Sequence, residues 1–102
     1  MGYNMVSENG MIKSFKHKQL EKFHRTGSPK GISASHSARL EMILDLLEAA
    51  TNIFDMSFPG SNLHKLEPKT ASRWAVKVSG NWRITFRYEE GDALEVDYED
   101  YH

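Results

Sequence analysis

Residues 73–88 read RWAVKVSGNWRITFRY, two stretches in which apolar and polar side chains alternate around a Ser-Gly-Asn centre. Alternation with a period of two is typical of β-strands, and Gly and Asn tolerate the left-handed backbone that tight turns require. A loop of residues 79–81, or a bulged equivalent, pairs Val78 with Trp82 and gathers the apolar side chains of both strands on one face. A two-residue loop would mix the two faces. The sequence therefore predicts a β-hairpin with the first register.

Cations gather on the opposite face of this hairpin. The same register places Lys77 across from Arg83, and Arg73 across from Arg87. Like charges directly opposite each other destabilise a sheet. Either carboxylates neutralise these four cations, or the face is there to receive an anion.

The following strand supplies carboxylates. EEGD turns the chain, and the stretch ALEVDYED, residues 93–100, alternates again. We expect its apolar members to join the core and its acids to lie on the cationic face; these are Leu94, Val96 and Tyr98, and then Glu95, Asp97 and Glu99. Two interpretations stay open, a ladder of weak surface salt bridges and a partly neutralised basic groove.

Two helices are predicted before the hairpin. The stronger lies in SASHSARLEMILDLLEAAT, residues 33–51, where apolar residues recur at i, i+3, i+4 and i+7. Ser33 or Ser35 is the expected N-cap. The weaker lies in KHKQLEKFHR, residues 16–25, and Gly27 follows it as a C-terminal stop.

The remaining segments complete an α+β fold. MIKSF, residues 11–15, predicts a short strand, and LHKL, residues 63–66, a short extended piece. Between helix and hairpin, Phe54 and Phe58 are expected to tuck under a connector. We therefore predict two N-terminal helices packed on a twisted, mostly antiparallel sheet, in the order strand, helix, helix, then three or four strands. The predicted core is Leu20, Phe23, Leu40, Ile43, Leu44, Leu47, Trp74, Val76, Ile84, Phe86 and Val96.

Composition indicates one globular domain. The chain has 102 residues, of which 39% are hydrophobic and 26% charged, and it contains no cysteine. That excludes a disulfide scaffold, a thiol nucleophile and a cysteine-based zinc site, and it suits a reducing cytosol. No apolar run approaches the ~18 residues of a membrane span, and no signal peptide is readable. We expect a cytoplasmic domain over residues 11–102, preceded in residues 1–10 by an extension or a remnant of expression.

The net charge of −1 conceals an uneven distribution. Residues 1–88 carry 13 Lys and Arg against seven acids, a balance of +6, whereas residues 89–102 carry seven acids and no Lys or Arg. A basic body of this kind can meet nucleic acid. It can equally be a solvated surface with its own acidic counterweight.

Histidines and the C-terminal residues are the candidates for chemistry. The sequence contains no glycine-rich phosphate loop, no HExxH and no G-x-S-x-G. His17 and His24 lie seven apart on a short helix, where solvated or partly buried histidines are more common than metal ligands. His36, near a helix start, is expected to be neutral. The remaining set joins imidazoles, a phenol and cations without metal-ligand spacing: His64, Asp100, Tyr101 and His102, with Lys65, Arg73 and Arg83.

Such a set can cleave RNA without a cofactor or a metal. A base deprotonates the 2′-hydroxyl, an acid protonates the leaving 5′-oxygen, and cations stabilise the phosphorane charge. Histidine suits both proton transfers near neutral pH.

Three stretches together resemble the HigB family of type II toxins, within the RelE/ParE superfamily. These are MIKSFKHKQLEKFHRTGSPKGI, FPGSNLHKL and RWAVKVSGNWRITFRYEEGDALEVDYEDYH, so the resemblance covers about residues 11–102. It implies a ribosome-dependent mRNA endonuclease that enters the ribosomal A site and cuts mRNA there without a metal. It also implies inhibition by HigA, a helix-turn-helix antitoxin, with DNA met only through that antitoxin.

The resemblance also implies which residues work. The family's catalytic positions match His64, Asp100, Tyr101 and His102. The substrate-binding cations would be Lys65, Lys69, Arg73, Lys77, Arg83 and Arg87. We expect His102 or His64 to transfer protons. Asp100 would orient an imidazole, and Tyr101 would contact the substrate phosphate or a base.

One position departs from the family pattern, and two other functions stay open. After LH, relatives often carry PLKG, whereas this chain has KLEPK and so places Glu67 where a cation is frequent. Lys65 or Lys69 would substitute for that cation. The alternatives are a ParE-like toxin that acts on DNA gyrase without catalysis, and a plain binding module whose cations are all paired.

Overall fold

The computed structural model describes residues 11–68 and 71–101, so the predicted extension of residues 1–10 lies outside the described residues. The elements, in chain order, are β1 (Met11–Ile12), α1 (Lys18–Thr26), α2 (Ser37–Ala49), β2 (His64–Lys65), β3 (Arg73–Ser79), β4 (Trp82–Glu89) and β5 (Asp92–Asp100). Single 3₁₀ turns precede and follow α2, at Ala34–His36 and Ile53–Met56. The α+β class is confirmed. Both helices lie inside the chain, after the first strand, rather than at its N-terminus.

The described strands form one mixed sheet in the order β1-β5-β4-β3-β2. β2 to β5 pair antiparallel with their sequence neighbours, but β1 pairs parallel with β5. The chain returns to the sheet through both helices, and a long crossover of this kind is what a parallel pair requires. The first strand is shorter than predicted, since β1 ends at Ile12. After it, an isolated bridge joins Phe15 to Val96, and single backbone hydrogen bonds connect neighbouring residues to β5.

α1 has the predicted C-terminal stop. Gly27 adopts a left-handed φ of 81°, and its N–H donates to the Phe23 carbonyl. At the other end the His17 Nδ1 accepts from the Leu20 N–H and caps the helix. His17 therefore has a structural role, as the N-cap of α1.

The expected serine cap of α2 is wrong. The 3₁₀ turn places His36 at the N-cap position, and its side chain makes no capping bond. The Ser33 and Ser35 hydroxyls instead lie 3.1 Å apart and bond to each other. Because the extra turn pushes both serines away from the first helical N–H groups, neither can reach them.

The core lies between the helices and one face of the sheet. Nine of the predicted core residues are fully buried, and Phe23 and Trp74 are partly buried against them. The four apolar residues of α2 that face the sheet have no exposed surface: Leu40, Ile43, Leu44 and Leu47. Side chains of this size each stabilise the fold by roughly 1.5–3 kcal/mol when buried.

The hairpin adopts the bulged form of the predicted register. Ser79, rather than Val78, pairs with Trp82, and the ladder shifts between Lys77 and Ser79. Farther from the turn the predicted partners hold, with Lys77 opposite Arg83. The extra residue keeps the Val78 side chain 95% buried on the apolar face, which explains why a bulge replaces a longer loop.

A second bulge corrects the prediction for Leu94. Thr85 pairs with Asp97, but Arg87 pairs with Leu94, so β5 carries one extra residue between these two levels. A shift of one residue exchanges the faces. Leu94 therefore lies beside Arg87, and the fully buried Ala93 takes the core position.

The connector after α2 holds Phe54 outward, so the prediction that it tucks inward is wrong. Asn52 caps the 3₁₀ turn, and the Asp55 carboxylate accepts from the backbone N–H groups of Thr51 and Asn52. These bonds lower the pKa of Asp55. The turn they fix leaves Phe54 73% exposed, whereas Phe58 is half-buried. In the described part of the chain, no helix is long and apolar enough to cross a membrane.

Candidate functional site

The sheet face opposite the helices, here called the cationic face, carries four basic side chains on β3 and β4. They are Arg73, Lys77, Arg83 and Arg87. The predicted facing pairs are present, since Arg73 pairs with Arg87 and Lys77 with Arg83. The two pairs differ in the carboxylates that lie near them.

The pair far from the hairpin turn is neutralised. Glu95 lies 3.4 Å from Arg73 and 3.3 Å from Arg87, and Glu89 lies 2.7 Å from Arg87. The hydrogen bond that Arg87 donates to Glu89, together with the charges of both carboxylates, raises the pKa of Arg87. The β5 bulge contributes to this arrangement, because Glu95 adopts a left-handed φ of 52° there.

A buried threonine occupies the middle of the cationic face. Thr85 has no exposed surface, and its hydroxyl accepts from the Arg73 guanidinium at 3.0 Å. The same hydroxyl donates to the Glu99 carboxylate. Glu99 pairs with Arg83 across the strands, yet its carboxylate is turned to Thr85. Asp97 is likewise occupied, because it accepts from the N–H of Tyr98.

The pair next to the turn has no carboxylate partner within residues 11–68 and 71–101. Arg83 donates to the carbonyls of Gly80 at 2.7 Å and Trp82 at 3.1 Å, which holds its guanidinium beside the turn. Lys77 is exposed directly opposite. Two adjacent cations with no carboxylate partner in the described part of the chain are a candidate site for an anion such as phosphate.

The end of β5 reaches the same turn. Asp100 pairs with Trp82, and the Tyr101 N–H donates to the Asn81 carbonyl at 2.7 Å. Because side chains alternate along a strand, Asp100, the last residue of β5, lies on the helix side with Trp82. Tyr101 is 42% exposed. His102 lies outside the described residues.

His64 lies on the opposite border of the cationic face. It pairs with Ala75 and is therefore a diagonal neighbour of Lys77, a distance of about 7–8 Å between Cα atoms. Its Nδ1 lies 2.9 Å from the Asn62 carbonyl, which can only accept, so Nδ1 carries the proton. Neutral His64 then has a lone pair on Nε2, the nitrogen available for proton transfer.

The sheet order places the cations between the predicted catalytic groups. β3 and β4 separate His64 from Tyr101, about 14 Å at ~4.8 Å per strand. The structure therefore brings Asp100 and Tyr101 together at the turn, and it places His64 across the cationic face from them. Lys65 points to the helix side, where its ammonium lies 5.6 Å from the Trp74 ring centre, and Lys69 lies outside the described residues.

Sequence patterns did not single out Arg39, which fixes the segment leading to His64. Its guanidinium donates to the carbonyls of Gly60 at 3.0 Å and Lys77 at 3.3 Å, and it stacks 5.3 Å from the Phe58 ring centre. The sequence does show an arginine inside an otherwise apolar helix pattern, and this could have marked Arg39 as a structural residue. Nothing local in the sequence indicates its distant partners.

His24 is a structural histidine as well. Its Nε2 lies 2.7 Å from the Glu48 carboxylate, and the other oxygen of Glu48 accepts from the Ile12 N–H. This contact ties α1, α2 and β1 together. Over the described residues, no three His, Cys, Asp or Glu side chains are grouped so as to hold a metal ion.

Fold and site together define a class: an α+β protein whose open sheet face carries two cations, Lys77 and Arg83, between His64 and Tyr101, with no carboxylate partner among the described residues. Comparison with known sequences narrows this class. The family model described as the RelE-like toxin of type II toxin-antitoxin system HigB matches residues 13–102. A protein named endoribonuclease HigB, from Proteus vulgaris, is 39% identical over 92 residues, which are 90% of this chain and 100% of that protein.

The chain belongs to the HigB-like toxin family of type II toxin–antitoxin systems. The predicted resemblance is thereby confirmed. Neither match favours the alternative of a ParE-like toxin acting on gyrase.

Proposed function

We propose that this toxin is an endoribonuclease that cuts mRNA and so blocks translation. One observation carries the proposal: Lys77 and Arg83 stand side by side without a carboxylate partner in the described chain, between His64 and Tyr101. The printed name of the Proteus vulgaris relative, an endoribonuclease, supports the same activity.

The substrate phosphate binds where Lys77 and Arg83 meet. The planar guanidinium of arginine suits a phosphate, and Arg83 is held in place by two backbone carbonyls. A guanidinium fixed before the substrate arrives needs no rearrangement to stabilise charge that develops on phosphorus. The exposed Lys77 ammonium lies opposite it and adds a second positive charge. Arg73 and Arg87, which are paired with Glu95, support this surface instead of binding the phosphate first.

Cleavage uses the 2′-hydroxyl of the RNA as the nucleophile. A base takes the proton of that hydroxyl, the 2′-oxygen forms a bond to phosphorus, and the bond from phosphorus to the 5′-oxygen breaks. An acid gives a proton to the leaving 5′-oxygen. The products are a cyclic 2′,3′-phosphate and a 5′-hydroxyl, and no oxidant or further reactant is consumed.

We propose that the two proton-transfer groups act from opposite sides of the phosphate. Attacking and leaving oxygens are roughly in line at phosphorus, so a base and an acid on opposite sides suit the reaction. We assign these roles to His64, from β2, and His102, from the end of the chain. Asp100 orients the His102 imidazole, and Tyr101 contacts the phosphate or a neighbouring base.

The partner that the family implies is an antitoxin. A type II system pairs the toxin with a protein antitoxin, and we propose a helix-turn-helix protein of the HigA kind. We also propose that the toxin works in the cytoplasm, in the A site of the ribosome, and meets DNA only through its antitoxin.

The test combines purified full-length toxin, translating ribosomes and a defined mRNA. We expect cuts within the ribosome-bound mRNA, and we expect the His102→Ala variant to lose most of the cutting. A toxin preparation that leaves mRNA intact but inhibits DNA supercoiling by gyrase would contradict the proposal and favour the ParE-like alternative.

A further inference from the structure

The last part of β5 is held along one edge only. β1 pairs with Asp92 and Ala93, and the segment after it reaches β5 no farther than Val96. Beyond Val96, the backbone of β5 pairs with β4 alone within residues 11–68 and 71–101. The C-terminal residues proposed for catalysis begin with Asp100, the last residue of β5, where this strand has only β4 as a neighbour among the described residues.

Beyond Val96, a buried side-chain contact connects β5 to the start of α2. The Tyr98 hydroxyl lies 2.6 Å from Nδ1 of His36, at the start of α2, and the two residues are 62 positions apart in the chain. Both are buried, with 6% and 8% of their surfaces exposed. Burial raises the pKa of Tyr98, so the phenol stays protonated at neutral pH and can donate to the imidazole.

Trp82 connects this contact to Asp100. The rings of Tyr98 and Trp82 lie 4.7 Å apart, and the His36 ring meets Trp82 edge-on at 5.8 Å. Trp82 in turn is the cross-strand partner of Asp100. Tyr98 and Asp100 also share a face, since they are two residues apart on one strand.

We propose that His36 and Tyr98 are a positioning pair that fixes the C-terminal catalytic residues of the toxin relative to the cationic face. The pair touches no substrate. It anchors β5 to α2 where the β-sheet no longer does, and it holds Trp82 beneath Asp100. The inference rests on the proposed function for its effect on cleavage, but its effect on the strand end can be measured without RNA.

The chain offers a matched pair of substitutions. Tyr98→Phe removes only the hydroxyl that bonds to His36. Tyr88→Phe removes a buried hydroxyl that has no hydrogen-bond partner within the described chain, from the same face of the same sheet. His36→Asn is the conservative third variant, because an amide can replace Nδ1 as the partner of the phenol.

The first measurement is amide hydrogen exchange at Tyr101, whose N–H bonds to Asn81 in the native fold. We expect exchange about 5- to 10-fold faster in Tyr98→Phe, as the loss of one buried hydrogen bond implies. We expect no change in Tyr88→Phe and an intermediate rate in His36→Asn. Equal exchange at Tyr101 in the two tyrosine variants would overturn the proposal.

The second measurement separates kcat from KM for cleavage of ribosome-bound mRNA. We expect kcat to fall about 5- to 10-fold in Tyr98→Phe. KM should be unchanged, since Lys77 and Arg83 still hold the substrate, and Tyr88→Phe should match the wild type. A changed exchange rate with an unchanged kcat would overturn the catalytic half of the proposal. If the wild-type toxin cuts no RNA, the proposed function fails, and the exchange rates alone decide whether this pair orders the strand end.

Discussion

Lys77 and Arg83 face each other across β3 and β4, and within residues 11–68 and 71–101 neither has a carboxylate partner. β5, which adjoins β4, holds enough acid to neutralise them, since it carries Glu95, Asp97 and Glu99. Those acids are committed elsewhere, to arginines, to a backbone N–H and to Thr85. The cationic face is therefore half neutralised and half available, and its available half lies beside the end of the chain.

The first prediction concerns these two cations. Lys77→Ala and Arg83→Ala should each weaken binding of the toxin to RNA and lower the salt dependence of that binding by about 0.7 in the logarithmic slope. Each should also reduce the cleavage rate by at least about tenfold, because the developing phosphorane charge loses a partner. Filter binding between 50 and 200 mM salt and a cleavage time course measure both effects.

The control for these variants removes a charge from the other side of the molecule. Lys22 is exposed on α1, where alanine is a good helix former. Lys22→Ala should leave the salt slope and the cleavage rate close to wild type. If Lys22→Ala and Lys77→Ala weaken RNA binding equally, the anion site is not localised at the turn.

The second prediction concerns the neutralised half. Glu95→Gln removes the carboxylate that pairs with both Arg73 and Arg87, so the cationic face gains positive charge and RNA should bind more tightly. The loss of stability should stay below about 1 kcal/mol, because the ion pairs are partly exposed. Glu41→Gln, on α2, makes the same change of charge away from this face. RNA binding that tightens equally in both variants would show a general charge effect.

The hairpin was predictable because alternation reports burial directly. A strand with one solvated face must place every second residue in the core, so the pairing of Arg73–Lys77 with β4 followed from the apolar pattern. The same pattern left open whether the turn has three residues or a bulge, and the structure has the bulge. The β5 bulge was not predictable, because the sequence ALEVDYED alternates without interruption. Its position depends on how Arg87 and Leu94 meet across two strands, which is a tertiary constraint.

The candidate site was predictable in composition but not in arrangement. The resemblance pointed to His64 and to the end of the chain, and the sheet order shows that β3 and β4 lie between them. Alternation treated Glu95 and Glu99 as equivalent, yet only Glu95 pairs with arginines. The contact of His36 with Tyr98 joins residues 62 positions apart, and no local pattern encodes it.

The third prediction concerns the segment that leads to His64. Gly60 adopts a left-handed φ of 83°, and a Cβ at this position would lie 3.3 Å from the Arg39 guanidinium. Gly60→Ala should therefore cost more than the roughly 1–2 kcal/mol of the left-handed backbone alone. Gly27→Ala is the matched control, since its φ is 81° and its Cβ would meet open space. Equal losses in thermal unfolding would show that Arg39 does not depend on Gly60.

The fourth prediction concerns pH. Hydrogen bonds from Thr51 and Asn52 lower the pKa of Asp55 below its usual 3.8, so Asp55 contributes stability above that pH and loses it as the pH falls through the lower value. The gap in unfolding midpoint between wild type and Asp55→Asn should be full above pH 3.8 and narrow in more acidic solution. Asp45→Asn, which removes an exposed carboxylate from α2, is the reference. A gap that widens on acidification would contradict the assigned sign.

The most direct measurement compares the full chain with a variant that ends at Glu99, on ribosome-bound mRNA. Truncation removes Asp100, Tyr101 and His102 but none of the buried core. We predict that the truncated toxin keeps its unfolding midpoint within a few degrees, still binds ribosomes through Lys77 and Arg83, and cuts mRNA at least about 100-fold more slowly. A truncated toxin that folds and cuts at the wild-type rate would contradict the central claim, because the catalytic groups would then lie elsewhere.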